Sequence, residues 1–398
     1  MSWYSCNVFF PEWKVWEGYV TDNLQSALSL DSLRSSHPIE VPVSRADEIN
    51  QIFDAISYSK GSCVLRMLSK YLGEEVFMEG IRRYIKKHIY SNTTTADLWA
   101  SLSEASGKNV GEIMDIWTKK VGYPVITVTE NGNTVHLRQN RFLRTGDVKP
   151  EDDKTLYPVF LSLKTKDGVD NELTLNTREK IINLEDSDFY KLNTDHSGIY
   201  RTLYPPQRLK KLGQAAKAGL LSVEDRAGMI ADAGALAASG YQKTSGLLAL
   251  LDGLSEEEEV VVWEEITARV SALCSAWEFE DEATKKALLA FQRALTSPQA
   301  HAIGWEFKAS DSHLEQRKKA LMFGSAGLAG DERYDIFHLC DKVPTHSRYR
   351  VIQAAKEIFG KFAAGDKKAI HPNIRGSVYA IVLENGGEKE VRALLGSQ

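Results

Sequence analysis

The apolar residues of this chain change their spacing twice along its 398 positions. Up to about residue 122 they recur every third or fourth position, and from Val125 to Tyr204 every second; beyond Pro205-Pro206 the longer spacing returns. A spacing near 3.6 gathers apolar side chains into one stripe on a helix, whereas a spacing of two gathers them on one face of a strand. One segment cannot satisfy both, so the chain must be assembled in pieces. The pattern predicts an α+β multidomain chain: a helical piece over 1–124, a small β-sandwich of antiparallel strands over 125–205, and an α-helical array over 206–398.

Within the first piece, Asp54 to Leu72 reads as one helix whose stripe is Cys63, Val64, Met67, Leu68, Tyr71 and Leu72. Val76 to Ile89 reads as a second, with Arg82, Arg83, Lys86 and Lys87 on its outer face. Thr94 and Asp97 form a capping box for a third, which Gly107 ends. Met114 and Trp117 belong to a fourth, closed near Gly122 because Pro124 cannot continue it. In the β piece, Asn131-Gly132 signals a hairpin between Ile126–Val128 and Val135–Leu137. Lys166-Asp167-Gly168 signals another, and Ile199 to Tyr204 is the last short strand. In the array, Ser255 is expected to cap a helix with Glu256 to Glu259 in its first turn and Trp263, Ile266, Val270, Leu273 and Trp277 on its inner face.

Seven aromatic residues crowd the first twenty positions, from Trp3 to Tyr19, where termini are ordinarily polar and frayed. The expectation is that a further segment precedes Met1, and that the helical stack is cut short near Gln398.

Composition excludes several classes of function. With 43% hydrophobic residues the chain has too much apolar surface to stay disordered, and 49 basic against 54 acidic residues supply no basic stripe for nucleic acid. Cys6, Cys63, Cys274 and Cys340 are far apart, which argues against a disulfide framework and for a reducing, cytoplasmic setting. The first residues do not read as a secretory signal, and no apolar run is long enough to span a membrane.

The short motifs that suggest chemistry are mostly deceptive. No two of the nine histidines stand at the i, i+4 spacing that places two imidazoles around zinc. His338 with Asp335 and Cys340 is the densest cluster, yet its spacing is not that of a metal site. Ser57-Tyr-Ser-Lys60, Tyr90-Ser-Asn92 and Lys243-Thr-Ser-Gly246 imitate the elements of serine hydrolases of the penicillin-binding type. Lys243 nevertheless falls among helices, where that fold needs a strand, so the match is set aside. Gly324, Gly327 and Gly330 follow a helix rather than a strand, and they read as a helix end and its link instead of a phosphate cradle. Tyr58 lies at the edge of the apolar stripe, on the side of Ser62 and Ser69, with Gly61 beside it permitting close approach. Its phenol is suited to donating a hydrogen bond to a developing oxyanion.

At this stretch the sequence resembles a known family. Ala27 to Ile39 (ALSLDSLRSSHPI), Phe53 to Gly61 (FDAISYSKG) and Val64 to Leu68 are similar to the M1 zinc aminopeptidases, nearest to the cytosolic puromycin-sensitive and fungal type. Agreement continues through Trp117–Pro124, Gly198–Arg201, Leu221–Arg226 and the block that starts at Asp232, and so covers essentially the whole chain. The resemblance implies that 1–124 is the helical remnant of a thermolysin-like peptidase domain, followed by the β-sandwich and the helical array. It implies peptide substrates, zinc as the family's cofactor, and for Tyr58 the role of stabilising the tetrahedral intermediate after zinc-bound water attacks. The family's H-E-x-x-H and G-x-M-E-N motifs do not occur in these residues. The expectations are that this chain alone binds no zinc and cleaves nothing, and that any activity needs a chain supplying the zinc domain. The alternatives are a non-catalytic peptide- or protein-binding helical module and a truncated gene product.

Overall fold

The computed structural model describes residues 2–331, 351–388, 390 and 392, which fall into two compact units, Met1–Glu256 and Glu257–Gln398.

The first unit opens with α1 (Ser2–Phe9), none of whose residues is buried. Packing starts further on. Tyr19 closes α2 (Val15–Tyr19), and it and Val20 are wholly buried, with Trp3 edge-on to the Tyr19 ring at 5.1 Å. A π-turn (Val20–Leu24) leads into α3 (Gln25–Asp31). The expected helix from Asp54 is interrupted in the same way: Ile56–Lys60 is a π-turn, and only then does α4 (Gly61–Leu72) begin. Cys63, Val64, Met67 and Leu68 are buried as the stripe requires.

Helix α5 (Glu74–Lys87) lies against α6 (Thr95–Ser106) so tightly that a Cβ on Gly80 would come within 2.6 Å of Leu102 Cδ2. Thr94 and Asp97 make the expected capping box, and Gly107 ends α6 in the left-handed region at φ 69°. In α7 (Val110–Lys119), Met114 and Trp117 are fully buried, and Trp117 Nε1 donates to the Pro158 carbonyl at 3.2 Å.

Strand β1 (Pro124–Asn131) pairs antiparallel with β2 (Thr134–Arg141). Asn131 faces Thr134, so the two-residue loop is Gly132-Asn133, one position later than expected, and Gly132 carries the positive φ of 59°. Seven short strands follow: β3 (Val159–Phe160), β4 (Leu163–Thr165), β5 (Gly168–Asp170), β6 (Thr174–Leu175), β7 (Glu179–Asn183), β8 (Tyr190–Lys191) and β9 (Arg201–Leu203). They form sheets in the orders β7-β2-β1-β9, β3-β6 and β5-β4-β8. One departure from the expected antiparallel pattern is β9, which pairs parallel to β1 with Val125 opposite Arg201. The chain returns to the sheet edge through a long connection rather than a hairpin, which is what a parallel pair needs.

Helices α8 (Pro206–Lys217), α9 (Val223–Ala238) and α10 (Thr244–Asp252) belong to this same unit. The reason is electrostatic as well as apolar. Asp225 of α9 is fully buried against Lys191 at 2.8 Å, and Asp232 pairs with Arg201 at 3.0 Å while accepting the Thr202 N–H. Gly228 lies between them because a Cβ there would be 2.1 Å from the His196 ring.

The second unit is helical in its described residues: α11 (Val260–Ala276), α12 (Glu282–Ile303), α13 (His313–Leu328), α14 (Val351–Ala363) and α15 (Arg375–Asn385). Helix α11 starts at Val260, later than the expected Ser255 cap, because the Glu257 carboxylate takes the N–H groups of Glu258 and Glu259 before the helix begins. Trp263, Ile266 and Val270 are buried as expected, while Leu273 and Trp277 are only partly so. The glycine run also differs from expectation. Gly324 and Gly327 lie inside α13, where a Cβ would fall 2.7 Å from Ser377 Oγ and 2.2 Å from Ile381 Cδ1 of α15. They are there to let two helices touch, and Gly330 alone follows the helix end, at φ 80°.

Candidate functional site around Tyr58

Tyr58 occupies the middle of the π-turn, with its side chain 62% exposed. A π-turn inserts a residue into helical winding and is common where a side chain must be aimed. The backbone shows the insertion directly: Lys60 N–H reaches back five residues to the Ala55 carbonyl at 2.8 Å, while Tyr58 N–H reaches the Asp54 carbonyl at 3.0 Å. The Phe53 ring lies 6.0 Å from the Tyr58 ring and is likewise exposed. A Cβ on Gly61 would meet nothing within 4 Å, so space is open beside the turn.

The turn is fixed at both ends. At its start, Asp54 Oδ1 accepts the N–H groups of Ile56 and Ser57 at 2.9 and 3.0 Å. Asp54 Oδ2 lies 2.7 Å from His37 Nε2, and His37 Nδ1 lies 2.8 Å from the Pro38 carbonyl. Burial pushes the Asp54 carboxyl up, but the Ser57 N–H and His37 outweigh it and hold it below the usual carboxylate range. Burial pulls His37 down, but the Pro38 carbonyl, Asp54 and Asp31 outweigh it and its net shift is upward.

At the end of the turn, Lys60 is wholly buried and forms a 2.8 Å ion pair with Asp31, itself buried at the end of α3. Asp31 Oδ1 in turn accepts from the Ser36 hydroxyl and the Gly122 N–H, both at 2.9 Å. Beyond the turn, Tyr19 Oη lies 2.6 Å from Ser62 Oγ, and burial pushes the neighbouring Cys63 thiol up to about 11, which leaves it unreactive. Arg66 of α4 lies over the Trp16 and Tyr19 rings and donates to the carbonyls of Asp195 and His196, tying the turn's helix to the strand region.

The other sequence candidates do not gather here. Lys60 is spent on Asp31 and cannot serve as base to Ser57. Tyr90 is fully exposed beyond α5, and Lys243 precedes α10, so the hydrolase-like motifs are helix ends and turns. The cluster of Asp335, His338 and Cys340 lies outside the described residues. His37, Asp54 and Asp31 are not marked by the sequence as supports of the turn that carries Tyr58. Asp54, two residues ahead of the first N–H it caps, is the one that a local capping signal could have found.

A zinc ion needs three or four convergent ligands. Among the described residues no three His, Cys, Asp or Glu side chains gather where an ion could be held. The imidazole and carboxylate nearest Tyr58 are bound to each other. The described residues therefore do not fit a zinc centre, and no step is derived through one. An open cleft of about 270 Å³, lined by Tyr71, Ile113, Ile116, Leu156 and Phe160, carries a single carboxylate, Glu112, which accepts from Asn109. It offers surface rather than chemistry. No helix of the described residues is long and apolar enough to cross a membrane.

Two family models match the chain: the Peptidase family M1 domain over residues 1–117 and the ERAP1-like C-terminal domain over residues 189–397. Aminopeptidase 2 of Candida albicans is 56% identical over 98% of this chain and 40% of its own length. The mitochondrial Aminopeptidase 2 of Saccharomyces cerevisiae is 53% identical over 97% of this chain and 39% of its own. The alanine/arginine aminopeptidase of the same yeast is 49% identical over 98% of this chain and 43% of its own. The chain thus spans about two-fifths of the length of these relatives.

Proposed function

The chain belongs to the M1 aminopeptidase family and corresponds to a C-terminal portion of it, and from that premise we propose that Tyr58 is its catalytic contribution. The phenol donates a hydrogen bond to the oxygen of the scissile carbonyl as charge develops there, during removal of an N-terminal residue from a peptide. The observation that carries this reading is the phenol's combination of exposure and fixed origin: the side chain is open to a substrate while the turn beneath it is bonded at both ends. A donor acts best when it is already oriented and pays no reorganisation as the reaction proceeds.

M1 aminopeptidases are zinc enzymes, and the metal would be supplied by residues other than those described here, in a partner chain or a further segment. We infer that these 398 residues alone do not hydrolyse peptides. The domain reading that accompanies this is a peptidase-domain portion over 1–124, a β-sandwich over 125–205 and a helical domain over 206–398, supported by the change of period. A reducing compartment such as the cytoplasm is supported by the free thiols of Cys6, Cys63 and Cys274.

Purified chain, supplied with zinc and an aminoacyl amide that releases a fluorophore, should show no turnover. Turnover by the chain alone, with stoichiometric bound zinc, would overturn the inference. When a chain carrying the H-E-x-x-H segment restores activity, Tyr58→Phe should lower kcat by about 10²–10³, the usual effect of losing one oxyanion donor. An unchanged kcat would remove Tyr58 from the reaction.

A further inference from the structure

We infer that His37 is a positioning residue for Tyr58: as an imidazolium it clamps Asp54, Asp54 fixes the start of the π-turn, and the turn sets the direction of the phenol. The catalytic meaning of this rests on the reading of Tyr58 above, but the mechanical coupling does not.

The argument begins with donors and acceptors. His37 Nδ1 faces the Pro38 carbonyl at 2.8 Å and Nε2 faces Asp54 Oδ2 at 2.7 Å. A carbonyl and an ionised carboxylate only accept, so each ring nitrogen must bring a proton, and only the doubly protonated ring does so. In either neutral tautomer one nitrogen lone pair would point at an oxygen lone pair at hydrogen-bond distance, and that contact must open. Two carboxylates act on the ring, Asp54 directly and Asp31 at longer range. Asp31 is already bound to Lys60 at 2.8 Å, so Asp54 is the charge that His37 balances.

The link from Asp54 to Tyr58 is short. One Asp54 oxygen is held by His37, and the other holds the Ile56 and Ser57 N–H groups. The Asp54 carbonyl accepts the Tyr58 N–H at 3.0 Å. When the ring gives one proton to solvent, its charge is lost and one of its two contacts, to the Pro38 carbonyl or to Asp54, must open, so the ring no longer clamps the carboxylate that anchors the turn from both sides. Partial exposure of both side chains gives solvent access to the proton, which a sealed pair would deny. The turn is thereby a pH-dependent mount for the phenol.

The test is a titration of the 398-residue chain labelled with ring-¹³C tyrosine and ring-¹⁵N histidine. Tyr58 is assigned by its loss in Tyr58→Phe, and His37 by its loss in His37→Gln. The expected result is that both His37 nitrogens are protonated at about pH 6 and that its midpoint lies above the ordinary 6.5. The Tyr58 ring signal should shift with that same midpoint. In His37→Gln the pH-dependent shift of Tyr58 should disappear, and Asp54→Asn should lower the His37 midpoint and flatten the Tyr58 response. A Tyr58 signal that stays constant while His37 titrates would overturn the inference, as would an unchanged response in His37→Gln. Should either variant fail to fold, coincidence or divergence of the two wild-type midpoints decides the matter. No turnover is measured, so failure of the catalytic reading, seen as full kcat in Tyr58→Phe, leaves this result where it stands.

Discussion

The Tyr58 turn and the junction around His196 are made of the same parts and put them to opposite uses. In each, a carboxylate takes backbone N–H groups of a tight turn and a histidine stands beside it. Asp54 holds Ile56 and Ser57 at one, and Asp225 holds the Asp195 N–H at 2.7 Å at the other. At the junction the histidine is buried, with φ 46° and Nε2 3.5 Å from an Asp232 oxygen that Arg201 already occupies. Lys191 and Arg201 neutralise Asp225 and Asp232 there, so every charge is spent inside the protein. At the turn, His37 and Asp54 are partly open to water and Tyr58 points outward. Burial decides which cluster is architecture and which can answer to solvent.

Breaking the junction should have the largest effect. Asp225→Ala leaves the buried Lys191 without its counter-charge, and losing one member of such a pair costs about 3–5 kcal/mol. Urea denaturation should show the midpoint falling accordingly; a loss below about 1 kcal/mol would mean that the junction is wetter than it looks. Asp54→Ala should cost less, about 1–2 kcal/mol, because it removes two caps and one half-exposed ion pair. A loss equal to that of Asp225→Ala would erase the distinction between the two clusters.

The response to pH sharpens the comparison further. His37 is shifted upward on folding, so its contribution is complete below its unfolded value and is lost as pH rises through its raised value. Asp54, Asp225 and Asp232 are shifted downward, so theirs are complete above the unfolded carboxylate value and are lost as pH falls through the lowered ones. Acid should therefore weaken both clusters, whereas mild alkali should weaken only the turn. Melting curves from about pH 6 to 9 should show a small decline in the wild type that His37→Gln lacks. Smallest of all, Tyr58→Phe should change stability by no more than about 0.5 kcal/mol, since the ring is exposed and its hydroxyl has no hydrogen-bond partner among the described residues. A larger loss would make the phenol structural.

Local signals are legible in the sequence. The Thr94–Asp97 capping box, Gly107 as the helix end and the period change near Pro124 all depend on neighbours within a few residues, and all are where they were expected. The structure departs from those signals where distant residues intervene. Gly324 and Gly327 looked like a link because only α15 shows that their missing side chains make room for another helix. Glu257 pre-empted the expected Ser255 cap. Strand β9 was legible, but its parallel pairing with β1, more than seventy positions away, was not. Tyr58 was picked out by its exposed edge and by resemblance, whereas its supports were hidden. His37 stands 17 residues from Asp54, and Asp31 meets Lys60 only once α3 has folded back, so neither pairing leaves a periodic trace.

The π-turn also makes residue count a determinant of aim. Its wide winding exists because Lys60 N–H closes on Ala55 rather than on Ile56. Deleting a single residue between Asp54 and Gly61 would let the segment relax to ordinary winding with α4 still in register, while residues inside the turn, Tyr58 among them, could change direction by up to about 100° around the axis. The composition of this stretch could then be preserved almost entirely while the phenol swung away from its present direction. Length here is under tighter constraint than chemistry, and a homologue with one residue fewer in this turn would have to aim its phenol by other means.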